Sequence, residues 1–571
     1  TGRIEELDAA IAAYEDAIER TPAAPPDRAG RLNNLGNGLS DRYARTGRIE
    51  ELDAAIAAYE DAVATLDSAL LDSPVAFVLG QQARWAGLYA RTVDALAAAG
   101  RAADALAAAE GSKSRLLAGL VGRGELPAPA AIPPALIERE RALAGQLNAL
   151  DTAELAGRGA APLPEGSRDA RAVAQRAAVV AELRAAWDEM AAAGPAAAEY
   201  VAARRGDRLS AGDLARLAEG LAPGAALLSL FTTGRRTLLW LWPAGAAAPR
   251  LLEPELAPDA LRFDYLANYV DEVLNRSTHL DLGRPLTHRW RALGLALLGP
   301  LRPHLAGVTH LVVAPEGVYH QLPLHALWLS DAGDTLIDHC AVSTVPALSL
   351  LERLRRREQP PAAPGAVFGY TPADPTTRDG RRERDVFLGE ARDVAGLLGV
   401  APRLDGEATG LELDKATTNP LRLLHLSCHG TFNTADALES GVGLADGLYT
   451  AGRFLARPLP VELVTLSACQ TGISRSLGGD EMAGFSLALL TAGARSLLLG
   501  LWSVEAQTTA RLLVAFYERL WGQGASATDK AAALRQTMLA LRDGRLLPAW
   551  PGFDPSDPFY WAPFTLVGDW R

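Results

Sequence analysis

The first eighteen residues, TGRIEELDAAIAAYEDAI, return at 46–63 as TGRIEELDAAIAAYEDAV, seventeen of eighteen positions matching at a period of 45. Within each copy the apolar residues fall at steps of three and four: Ile4, Leu7, Ile11, Tyr14 and Ile18, then Ile49, Leu52, Ile56, Tyr59 and Val63. That spacing predicts one apolar stripe along a helix. The segment between the copies, RAGRLNNLGNGLSDRYARTG, reads as a second helix stopped at Gly47, and 94–110 as a further helix–turn–helix pivoting on Gly100. A helix pair that recurs and cannot bury its own stripe must stack on its neighbours, which predicts a helical solenoid.

The pattern resembles tetratricopeptide repeats in a lengthened form, with a degenerate third copy. The chain opens inside a repeat and at Thr1 rather than methionine, so a fragment or processed chain with further copies before it is expected. Prolines at 127, 129, 133 and 134 end the repeat pattern. Residues 135–150 and 168–203 then read as long helices separated by a Gly/Pro-rich stretch at 156–167. From about 224 the texture changes to short apolar runs, ALLSLFTT, TLLWLW and THLVVAP, expected to be buried strands. Past the proline-rich joint QPPAAPG (359–365), strands alternate with helices: AVFGY, LRLLHLS, ELVTLSA, SLLLGLW and FTLVG. Such alternation predicts a mostly parallel, doubly wound sheet. The expected division is 1–120 helical repeats, 121–222 a helical linker, 223–358 a first α/β lobe and 359–571 a second.

Composition narrows the function. The 571 residues include 56 basic and 68 acidic side chains, a net charge of −12 that argues against a nucleic-acid or anionic-membrane binder. Three cysteines (Cys340, Cys428 and Cys469) form no CxxC pair and no disulfide framework, so a reducing, cytoplasmic setting is expected. No secretory signal opens the chain, and no uncharged apolar run reaches about 18 residues. Neither a metal nor another cofactor is expected: the spacing for a structural zinc site is absent.

Reactive groups in doubly wound sheets sit beyond the carboxyl ends of the strands. One such end, LHLSCHG, carries His429 and Gly430; another, TLSACQTG, carries Cys469. A thiol nucleophile needs a base to take its proton, and an imidazole on a neighbouring strand tip supplies one. The backbone N–H groups of Gly430 and Cys469 are then expected to hold the oxyanion, each such donor contributing about 3 kcal/mol. By strand alternation Cys428 points away from His429 into the core, while His425 shares its face. An HxxxH metal pair there is disfavoured, because that motif needs a helix and a glutamate. The arginine-rich stretch TRDGRRER (377–384) reads as a solvated loop, or as a self-cleavage or regulatory loop in a minority reading.

The stretch from about 296 to 571 resembles a CHAT domain, the caspase-like peptidase module related to separase and found behind tetratricopeptide repeats. The residues carrying the resemblance are 297–327 (LLGPLRPHLAGVTHLVVAPEGVYHQLPLHAL), LHLSCHG, SGVGLADG, LVTLSACQTG, AGARSLLLGLWSVE, FYERL and FYWAPFTLVGDW. This chain has Gly500 where many relatives have serine before Leu-Trp. The resemblance implies a cysteine endopeptidase with His429 as general base, Cys469 as nucleophile, and Gly430 with Cys469 as oxyanion hole. It implies that 223–358 is a pseudo-protease lobe of the same fold as the catalytic lobe. It also implies a protein or peptide substrate, an activating or inhibitory partner on the repeats, and a role in bacterial signalling, defence or programmed death. Asp480, Glu481 and Glu505 are the acidic residues best placed to line an S1 pocket, which would select arginine or lysine before the scissile bond. Two rivals stand beside this reading: an inert scaffold with a pseudo-peptidase domain, and an esterase, for which no GxSxG serine elbow occurs at a strand end.

Overall fold

The computed structural model of the chain describes all residues except 1, 22–26, 72–74, 125, 158–169, 256–286, 358–362, 432, 434–436, 468–474, 479–480, 503–505, 523–528 and 550–552. It opens with helices α1 (Gly2–Glu19), α2 (Asp27–Thr46), α3 (Ile49–Leu70), α4 (Val75–Ala98) and α5 (Ala102–Ser112), each packed on the next. The turns fall where glycine permits a left-handed backbone, Gly47 at φ +68° and Gly100 at φ +73°. In the second copy of the repeated stripe Leu52, Ile56, Tyr59 and Val63 are all buried, and only Ile49 at the helix start is exposed.

Helices α6 (Arg115–Gly122), α7 (Pro134–Gly157), α8 (Ala170–Ala191), α9 (Pro195–Arg205) and α10 (Ala211–Glu219) follow. The single long helix expected over 168–203 is two, because Gly194 at φ +126° and Pro195 at the first position of α9 interrupt it. Trp187, Leu147, Met190 and Tyr200 form the local core. Within it Arg204 grips the buried Glu140 through two hydrogen bonds of 2.8 and 2.9 Å.

Sixteen strands are described: β1 (Ala225–Thr232), β2 (Thr237–Pro243), β3 (Arg250–Leu252), β4 (His310–Ala314), β5 (Ala341–Thr344), β6 (Ala366–Gly369), β7 (Arg403–Leu404), β8 (Leu421–Ser427), β9 (Gly430–Thr431), β10 (Gly441–Leu444), β11 (Gly447–Thr450), β12 (Val461–Ser467), β13 (Arg475–Gly478), β14 (Glu481–Ala483), β15 (Ser496–Gly500) and β16 (Phe564–Gly568). Eleven of them make one sheet in the order β3-β2-β1-β4-β5-β16-β15-β12-β8-β6-β7. The C-terminal strand β16 joins its two halves, antiparallel to β15 and parallel to β5 through Val567 and Thr344. The five strands β7, β6, β8, β12 and β15 are parallel to one another.

Alternation along the strands feeds two cores. On β8, Leu423 joins the larger apolar cluster with Leu463, Leu498 and Val367, while Leu424, Leu426 and Cys428 join the cluster on the other side. The first face is covered by the Arg378–Leu398 and Ala506–Trp521 helices, which contribute Ala391, Val394, Leu513 and Phe516. The TRDGRRER stretch is therefore not a loop. Thr377 accepts a hydrogen bond from the N–H of Gly380 and caps a 21-residue helix that begins at Arg378. No helix among the described residues is long and apolar enough to cross a membrane.

Candidate active site

The site is set by two adjacent parallel strands in register. On β8 and β12, Val461 lies opposite Leu421, Leu466 opposite Leu426, and Ser467 opposite Ser427. Both strands end on those serines, and the Cys428 N–H still reaches the Ser467 carbonyl at 3.3 Å. His429 follows Ser427 by two residues, as Cys469 follows Ser467 in the sequence. Cys469, Asp480 and Glu505 lie outside the described residues, and Glu481 is described only as the backbone of β14. Gly430 opens the short strand β9, opposite Val442 of β10, and the His429 carbonyl accepts the N–H of Gly443 at 2.8 Å.

The His429 side chain is about 44% exposed and has a partner the sequence reading did not name. Its Nε2 lies 2.8 Å from Glu383 Oε1 and 3.4 Å from Thr371 Oγ1, and the Thr371 hydroxyl donates to the same carboxylate oxygen. The Phe387 ring packs against the imidazole, centroid to centroid 4.8 Å. Partial burial pushes the Glu383 carboxyl up, but hydrogen bonds from Thr371 and His429 outweigh it and hold the group below its ordinary range. Glu383 is thus ionised near neutrality and can only accept. Nε2 must carry a proton in this contact, so in the neutral imidazole it is Nδ1 that keeps the lone pair.

One turn of strand deeper, His425 is fully buried. Its Nε2 lies 2.9 Å from Glu390 Oε1 and its Nδ1 3.0 Å from the Tyr517 hydroxyl. Both ring nitrogens are therefore occupied by protein groups, which accounts for this histidine without a metal. No group of three or more His, Cys, Asp or Glu side chains suited to a metal occurs among the described residues. Cys428 is buried among Leu424, Leu426 and Val442. The sequence signal for Glu383 is legible only once the register is known: two glutamates seven apart on one helix face two histidines four apart, one in β8 and one two residues past its end.

The family comparison covers the sheet from β4 onward: residues 287–569 match the CHAT domain family. That match takes in just under half of the chain. Among solved structures, gingipain R, an Arg-specific cysteine proteinase, is similar at 12% identity and a TM-score of 0.35, over 53% of this chain and 74% of that one. The separase of Saccharomyces cerevisiae, solved with securin, is similar at 10% identity and a TM-score of 0.41, over 98% of this chain and 48% of that one. This chain thus spans about half the length of that separase. No curated protein matches the chain. The strands β4 to β16 and the His429–Glu383 pair all fall within the matched residues.

Proposed function

We propose that this protein is a cysteine endopeptidase in which His429 is the general base and Cys469 the nucleophile. The observation that carries the reading is the register of β8 and β12: two parallel neighbours end level, and the imidazole and the thiol each follow by two residues. A base and a sulfhydryl on adjacent strand ends are what thiol activation needs. In the reaction Nδ1 of His429 takes the thiol proton, the thiolate attacks the scissile carbonyl, and the imidazolium returns the proton to the leaving amine. The N–H groups of Gly430 and Cys469 are proposed to stabilise the oxyanion.

The finer reading is proposed on the same footing. The substrate is one dedicated protein, and Asp480, Glu481 and Glu505 favour arginine or lysine before the scissile bond. Residues 1–120 act as a tetratricopeptide-like docking surface, 121–222 as a linker, 223–358 as a pseudo-protease lobe and 359–571 as the catalytic lobe. A partner bound to the repeats controls cleavage by preferring one state of the enzyme over the other. The setting is cytoplasmic, in bacterial signalling, defence or programmed death.

The test incubates the wild-type chain and Cys469→Ala with the products of neighbouring genes and maps new termini by mass spectrometry. New termini after basic residues, present with wild type and absent with Cys469→Ala, are expected. Identical termini from both proteins would return the chain to an inert scaffold, and cuts after aspartate or apolar residues would remove the S1 assignment.

A further inference from the structure

Strand β8, with the two residues that follow it, is joined to the Arg378–Leu398 helix by three polar rungs that run in opposite directions along the two segments. His425 pairs with Glu390 at 2.9 Å, the Ser427 hydroxyl donates to the Phe387 carbonyl at 3.0 Å, and His429 pairs with Glu383 at 2.8 Å. Residues 425 and 427 share one face of β8, about 6.6 Å apart, and His429 lies two residues beyond its end. Residues 390, 387 and 383 descend one face of the helix, spanning about 10.5 Å over two turns. The two inner rungs hold strand and helix at one register, and that register brings Glu383 opposite His429. The inner rungs are out of solvent: His425 and Ser427 are fully buried, Glu390 nearly so, and Tyr517 closes the far side of His425.

Resting on the endopeptidase reading, we propose that Glu383 is the positioning residue of this site, and that the buried rungs aim it. Its carboxylate accepts the Nε2 proton of His429 and so keeps the lone pair on Nδ1, the nitrogen that must receive the thiol proton. Thr371 donates to Glu383 and Phe387 packs on the ring, which fixes the rotation of carboxylate and imidazole together. Without Glu383 the ring is free to exchange tautomers and to turn, and the fraction of molecules with Nδ1 ready to accept falls. Glu383 touches neither substrate nor thiol in this role; it acts through His429.

The experiment compares wild type, Glu383→Gln, Glu383→Asp and Cys469→Ala in two measurements. Steady-state kinetics on a peptide containing the mapped cleavage site should show kcat reduced about ten-fold or more in Glu383→Gln, KM within about two-fold, and part of the loss recovered in Glu383→Asp. Long-range proton–nitrogen spectra of histidine-labelled protein, the His429 signal identified with His429→Gln, should show the Nε2–H form in wild type and loss of that preference in Glu383→Gln. An unchanged tautomer with an unchanged rate overturns the proposal. So does an unchanged tautomer with equal losses in Gln and Asp, which is the result of a purely structural role. Should Cys469→Ala cleave as wild type does, or wild type cleave nothing, the peptidase reading fails by itself, and the spectra alone decide whether Glu383 sets the tautomer.

Discussion

Single side chains decide how this protein responds to acid. Burial pushes His310 down to about 3 and His325 down to about 4, so both are neutral in the fold. His310 sits against Trp570 at 4.5 Å between ring centroids with Nε2 2.9 Å from the Ser343 hydroxyl, and His325 lies against Trp561. In the unfolded chain both titrate near 6.5, so below that pH the unfolded state binds more protons than the folded one. Stability is therefore complete above pH 6.5. It falls by about 1.4 kcal/mol per pH unit for each histidine as the pH drops towards 4. The urea midpoint is expected to fall between pH 7 and pH 5, and less steeply in His325→Met. A midpoint independent of pH over that interval would show that neither imidazole is held neutral. His425 and His429 differ in their surroundings: one is enclosed by Glu390 and Tyr517, the other is partly exposed beside Glu383.

Among elements, the two near-identical helices α1 and α3 show how far packing departs from sequence. On α3 Leu52, Ile56, Tyr59 and Val63 are buried between α2 and α4, whereas on α1 only Ile11 is buried and Leu7, Tyr14 and Ile18 are half-buried. The residues are the same but for Ile18 and Val63; α3 has close neighbours on both sides, α2 and α4, whereas α1 packs chiefly against α2. The α2–α3 contact is close because Gly36 meets the Tyr59 ring, where an added Cβ would lie 2.5 Å from a ring carbon. Gly36→Ala should push the helices apart and cost about 1–3 kcal/mol. On the Arg378–Leu398 helix, Gly389 and Gly396 have nothing within 4 Å of a new Cβ, and each change to alanine should stabilise by about 0.5–1 kcal/mol. Thermal unfolding of the three variants checks both signs; a neutral Gly36→Ala would mean that the helix pair yields without strain.

For the whole molecule, the helical region and the sheet are tied by a buried ion pair at the end of α5. Lys113 Nζ lies 2.8 Å from Glu110 Oε1, 2.8 Å from the Ser229 hydroxyl on β1 and 2.9 Å from the Ala314 carbonyl on β4. The second oxygen of Glu110 accepts the Leu348 N–H at 2.7 Å, at the start of the Leu348–Arg356 helix. Both side chains are out of solvent, with exposures of 0% and 2%. Removing one partner leaves the other charge buried alone, so Lys113→Ala should cost about 3–5 kcal/mol. Faster amide exchange in both 102–122 and 225–232 should accompany the loss. A change confined to the helices would mean that the pair holds α5 together without coupling it to the sheet.

What the sequence determined by itself is what repeats locally. The three-four spacing makes the N-terminal helices, the short apolar runs make the strands, and the motifs LHLSCHG and LVTLSACQTG mark the strand ends. Those signals survive because helix and strand periods are written into consecutive residues. Tertiary structure decided the rest. Glu383 meets His429 only because Ser427 and Phe387 lock a helix at one register over β8. The two halves share one sheet only because the C-terminal strand β16 inserts between β5 and β15. Contacts between segments 46 or 221 residues apart leave no period in either segment, since each depends on where a distant element comes to rest.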